Sequence, residues 1–201
     1  MTQVRPKAAA TSKEFNALVK AAVEHGELEV AALMAVARQF LLRVPSEGIP
    51  LEWEGLHSCV VFESHRAVVT LSRRKNTRVP VTLTRDCCCT STGQRLCAVH
   101  WLHALRRASE GKGRVFTLTK HYFATRIKEL AAQVGVPDSA RFGTHLFRRG
   151  MAQDLLDQGG SVAALMVAGG WTSTAFTAYL RRAQIDDVAV ARSIIHLSDS
   201  E

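Results

Sequence analysis

The chain reads as an α+β domain, mainly helical, with a small antiparallel three-stranded sheet. Three observations predict this. Apolar residues recur at helical spacing over most of the length; between residues 58 and 84 the period shifts to short β-branched runs; and glycines and prolines separate the segments.

Two packed helices come first. Thr11 and Glu14 have the spacing of a capping box, and Phe15, Leu18, Val19, Ala22 and Val23 follow at helical spacing. After Gly26 a more apolar run resumes with Leu28, Ala31, Ala32, Val36, Ala37, Phe40 and Leu41, and ends near Pro45. Arg43 stands where this second helix gives out. A guanidinium in apolar company has to meet an anion, because burying it alone is costly. Glu47 is the nearest candidate, and the pair reads either as a structural ion pair at a helix end or as part of a site.

The β-type runs cover 59–62, 67–72 and 78–84, with turns at 64–66 and 75–77, so a three-stranded meander is expected. The second turn gathers Arg73, Arg74, Lys75 and Arg78. Such a tip suits contact with phosphates, and equally describes an ordinary solvated turn. Then comes CCCTSTGQRLCAVH. Cys87, Cys89, Cys97 and His100 have the composition of a zinc-ligand set, although the first half is not Cys-x-x-Cys; buried or surface thiols are the plainer alternative.

Val99, Leu102 and Leu105 mark a helix ending in Arg106 and Arg107; Thr119 caps another containing Phe123, Ile127, Leu130 and Ala131, closed by Gly135 and Pro137. The stretch 143–182 follows, with His145 and Arg148 one turn apart on a helix, a short helix at 161–168 between two Gly-Gly pairs, and Trp171 opening a helix that carries Phe176, Tyr179 and Leu180. Beyond it, Val188, Val190, Ala191 and Ile194 outline a further helix before a polar tail.

Lysine and arginine number 26 against 18 acids, a formal charge of +8. That excess favours a polyanionic partner, although a merely basic soluble protein has the same balance. No long uncharged apolar run or secretory leader is present, so no membrane partner is expected and an intracellular location is. Five cysteines, three of them adjacent, do not form a secreted disulfide framework. No dinucleotide fingerprint or phosphate loop occurs.

A phenol is a poor nucleophile at neutral pH, its ordinary pKa being about 10. It becomes useful against a phosphodiester whose oxygens are clamped by arginines, which meet the charge growing in the transition state. Arg43 and Arg148 suit the clamp, His145 a hydrogen bond to the phosphate or a proton transfer, Trp171 an indole N–H, and Lys75 protonation of a leaving 5′ oxygen. Each also has a structural explanation: Tyr179 and Trp171 as core aromatics, His145 as a helix cap, Arg148 and Arg149 as a solvated face.

In this order the set resembles the catalytic domain of tyrosine recombinases, the phage-integrase-like family, closest in character to divergent members in eukaryotic mobile elements. LLRVPSEGIPL matches the first-arginine box with Arg43 and its supporting acid Glu47; SRRKNTRVPV supplies Lys75, GTHLFRRG supplies His145 and Arg148, and GGWTSTAFTAYL supplies Trp171 and the nucleophile Tyr179. Arg43 and Glu47 are one residue further apart than in the common Arg-x-x-Glu form, and Trp171 and Tyr179 one residue closer than usual.

The resemblance implies DNA strand breakage and rejoining through a 3′-phosphotyrosyl intermediate, with no cofactor required for catalysis; the Cys/His stretch, where a structural zinc is the reading of the residues themselves, is not part of the general family pattern. It implies duplex DNA as partner, contacted also by Arg73, Arg74, Arg78, Arg149 and Arg181; tetramers on DNA; a separate DNA-clamp domain; and the nucleus or cytoplasm according to host. The expected organisation is a short extension or remnant helix at 1–27, a catalytic domain at 28–182 and a tail at 183–201. Two competing readings are a DNA-binding domain that has lost turnover and a zinc-stabilised interaction module.

Overall fold

The computed structural model describes residues 9–74, 79–87, 89, 95–169 and 171. In order these form α1 (Ser12–Glu24), α2 (Leu28–Gln39), β1 (Ser58–Glu63), β2 (Arg66–Leu71), β3 (Val81–Asp86), α3 (Ala98–Ala108), α4 (Lys120–Gln133), α5 (Leu146–Asp157) and α6 (Val162–Gly169). The expected architecture is therefore the observed one, a mostly helical fold with a small antiparallel sheet.

The central element is α2. Every residue from Val30 to Arg38 is buried, as expected for a helix apolar on all sides. It packs on α1, α3 and α5, while α1 also meets α4 and α5. The capping box is present: the Thr11 side chain accepts from the Glu14 N–H, and Glu14 accepts from the Thr11 N–H at 2.8 Å. Gly150 lets α5 approach the chain ahead of α1, for a β-carbon there would stand 2.0 Å from the Ala10 carbonyl oxygen. Arg38 crosses the same junction, donating to the Ala10 carbonyl at 3.2 Å and pairing with Asp154.

The sheet has the order β1-β2-β3, with Val60 opposite Val69 and Val69 opposite Leu83. Those three residues, with Ala67 and Leu71, form its buried face. Pairing of β3 starts at Val81, opposite Leu71, later than the sequence pattern suggested. Pro80 has no N–H to donate to a ladder.

Among the described residues no helix is long and apolar enough to cross a membrane.

Candidate active site

The site is built where α2 stops. Leu41 takes a left-handed backbone, φ +52°, and the N–H groups of Leu41 and Leu42 fold back onto the Arg38 and Ala37 carbonyls. This is the usual helix-ending motif, with a leucine where glycine is preferred, at a cost of about 1 kcal/mol. The Leu41 side chain is buried with Ala152, Leu165 and Trp171. Its carbonyl accepts from both Arg148 and Arg74, the latter at 3.3 Å.

A wide helical turn over Val44–Gly48 comes next, in which Gly48 N–H and Ile49 N–H bond to the carbonyls five residues back, Arg43 and Val44. One residue added to an α-helical turn produces this geometry. Within it the Glu47 carboxylate reaches back to the Arg43 N–H at 2.9 Å and its guanidinium at 2.7 Å.

Two further guanidiniums converge on Glu47. Arg74, just past β2, donates to both carboxylate oxygens at 3.1 and 2.9 Å, and Arg148, in the first turn of α5, lies 3.6 Å away. Both arginines also donate to the Gly169 carbonyl. Trp171 covers Arg148, whose guanidinium carbon sits 4.2 Å from the ring centroid. Gly169 has to be glycine here, since a β-carbon would fall 1.7 Å from the Trp171 ring.

Among the described residues, one carboxylate thus faces three guanidiniums, and an excess of positive charge surrounds Glu47. Burial alone would raise the Glu47 pKa. The hydrogen bonds and charge of Arg74, the Arg43 N–H and the charge of Arg148 outweigh burial and hold the carboxyl below its ordinary value. Arg148 is fully buried, whereas Arg43 keeps 15% of its side chain in contact with solvent. A polar cavity of about 260 Å³ adjoins Glu47, lined also by Ser46, His57, Arg73 and Arg114.

The structure therefore brings together Arg43, Glu47, Arg148 and Trp171 of the expected set. His145 is the half-buried cap residue of α5, one turn before Arg148, and Arg149 is half-buried beside it. Lys75, Arg78, Tyr179 and Arg181 lie outside the described residues. Arg73 is exposed; Arg74, expected on the same DNA-contacting surface, is buried on Glu47. The Leu41 and Gly169 carbonyls left no mark in the sequence. Arg85 did, because it lies on the buried face of β3 two residues after Leu83, and it donates to the Gln39 and Ala168 carbonyls at 2.6 and 3.0 Å.

A second cluster lies beyond Gln39. Cys87 and Cys89 follow β3, Cys97 caps α3 and His100 is in its first turn; their four ligand atoms lie within 4.8 Å of one another. This Cys₃His set is capable of coordinating a metal ion. Burial and the hydrogen bonds with Cys87 and Cys97 push the Cys89 thiol up to about 12.

No protein-family model and no curated protein matches the sequence. Solved structures do. The XerH site-specific recombinase bound to palindromic difH substrate, a post-cleavage complex, aligns with a TM-score of 0.66 at 11% identity, over 94% of this chain and 53% of that one. The pre-cleavage complex of XerH with difH gives 0.66 at 12% identity, over 92% and 53%. The XerA recombinase gives 0.58 at 13% identity, over 95% and 67%. The chain spans about half the length of the XerH chains. At these identities the likeness is one of fold: the chain has a tyrosine-recombinase-like architecture.

Proposed function

We propose that this chain is a catalytic domain that breaks and rejoins DNA strands through a covalent 3′-phosphotyrosyl intermediate. The observation that carries the reading is the convergence of Arg43, Arg74 and Arg148 on the Glu47 carboxylate, in a fold shared with recombinases.

In this reading Arg43 and Arg148 hold the non-bridging oxygens of the scissile phosphate, and Glu47 fixes their orientation. The Tyr179 oxygen attacks phosphorus while its proton passes to His145. The bond from phosphorus to the 5′ oxygen breaks, and Lys75 protonates that oxygen. Trp171 borders the phosphate. The phosphotyrosine conserves the bond energy, so a returning 5′-hydroxyl reseals the strand without a nucleotide cofactor. Arg148 is sealed beneath Trp171 here, so phosphate reaches it only when the Trp171 segment shifts. Arg74 serves by holding Glu47, while Arg73, Arg78, Arg149 and Arg181 contact the duplex.

Duplex DNA is the partner, with a separate clamp domain completing the grip and self-association into a tetramer aligning two sites. The finer likeness to mobile-element members, and the nuclear or cytoplasmic location that depends on host, rest on the sequence motifs. A metal at Cys87, Cys89, Cys97 and His100 is structural and takes no part in phosphoryl transfer.

Incubation with nicked duplexes of varied sequence, resolved under denaturing conditions, tests this reading. Wild type is expected to form a covalent adduct that Tyr179→Phe does not. The burial of Arg148 favours one other reading, a DNA-binding domain without turnover, which predicts salt-sensitive duplex binding and no adduct from either protein.

A further inference from the structure

The Cys₃His cluster draws its ligands from the end of the sheet and the start of α3. Cys87 Sγ lies 3.2 Å from Cys89 Sγ, 3.9 Å from Cys97 Sγ and 3.5 Å from His100 Nδ1, and Cys89 Sγ lies 3.2 Å from the same nitrogen. A tetrahedral zinc ion, with bonds of about 2.3 Å to sulfur and about 2.0 Å to nitrogen, keeps its ligand atoms roughly 3.5–3.8 Å apart. These four separations straddle that range, and all four ligand atoms lie within 4.8 Å of one another. A disulfide is not formed, since the cysteines are free thiols.

Cys97 and His100 share one face of the first helical turn because they are three residues apart. Thiolates and imidazole select a borderline-soft cation over magnesium or calcium.

We propose that Cys87, Cys89, Cys97 and His100 bind one zinc(II) ion that fastens the end of β3 to the start of α3. Three thiols release their protons to solvent on binding, leaving three thiolates and a neutral imidazole on the ion, with a net charge of −1. All four positions are filled by protein, which makes the site structural. It also braces its neighbours. The Cys87 N–H donates to the His65 carbonyl in the β1–β2 turn at 2.9 Å. The Gln39 side chain holds the Leu96 carbonyl at 2.8 Å and the Ala98 N–H at 2.9 Å, so the end of α2, two residues before Leu41, leans on the metal-bearing segment.

The test is metal analysis of the full chain purified without added metal, paired with thermal melting before and after chelation. One zinc per chain is expected, with a lower Tm after stripping that zinc chloride restores. Cys97→Ser and His100→Ala should fall to background occupancy, while His100→Cys, which keeps a four-ligand set, and Cys59→Ser, which alters a cysteine outside the cluster, should retain one zinc. Cobalt(II) added to the stripped protein should give the visible bands of a tetrahedral thiolate site. Wild type without zinc and with a Tm indifferent to zinc chloride would overturn the proposal, as would full occupancy in His100→Ala or a disulfide between Cys87 and Cys89 in thiol mapping.

Discussion

Arg74 grips Glu47 through two hydrogen bonds, at 3.1 and 2.9 Å, with both side chains almost wholly withdrawn from solvent. This pair ties the segment just past β2 to the turn after α2, and it underlies the first expectation. Glu47→Gln keeps the shape but leaves three guanidiniums without their anion. It should destabilise the chain by about 3 kcal/mol in chemical denaturation, because breaking a buried pair strands a charge.

The same carboxyl sets a pH dependence. Its pKa is lowered in the folded chain, so its stabilisation is present above the unfolded glutamate value of about 4.3 and is lost as pH falls through the folded value. The stability difference between wild type and Glu47→Gln should therefore hold at neutral pH and shrink below about pH 4. Urea midpoints measured across that range give the comparison.

Neighbouring arginines should separate by function. Arg73 is exposed and Arg74 buried. Arg73→Ala should leave the melting temperature almost unchanged, weaken duplex binding and reduce the salt slope by about one. Arg74→Ala should instead lower the melting temperature, by roughly 2–4 °C per kcal/mol lost in a chain of this size.

Two glycines are steric requirements. Gly169→Ala places a β-carbon against the Trp171 ring and should displace that ring from Arg148, seen as a change in Trp171 fluorescence in a background with Trp53 and Trp101 replaced by Phe. Gly150→Ala collides with the Ala10 carbonyl and the Arg38 guanidinium. It should raise amide exchange in α1 more than in α4.

Much of the fold was legible because it follows local chemistry. The Thr11–Glu14 capping box, the all-apolar α2, the β-branched runs and the Thr119 cap each specify structure over a few residues, and each forms as expected. Arg43 and Glu47 were legible as a pair for the same reason, since they stand four positions apart. Arg74 was not. Strand alternation buries Ala67, Val69 and Leu71, which would turn residue 74 outward; the chain leaves that register after β2 and carries the side chain inward to a carboxylate 27 residues away. The backbone acceptors were hidden for another reason: a carbonyl is the same in every residue, and the left-handed turn that aims the one at Leu41 occurs without the usual glycine. The ligand set at Cys87, Cys89, Cys97 and His100 was readable from residue type, whereas its closure depends on where β3 ends and α3 begins.

The most direct measurement is to trap the protein on a nicked duplex, digest the complex with nuclease and protease, and identify the modified residue by mass spectrometry. The account predicts a 3′-phosphotyrosyl nucleotide on the peptide containing Tyr179, formed by wild type and lost in Arg148→Ala. A nucleotide attached at any other residue, or duplex binding without an adduct across the substrate panel, would contradict it.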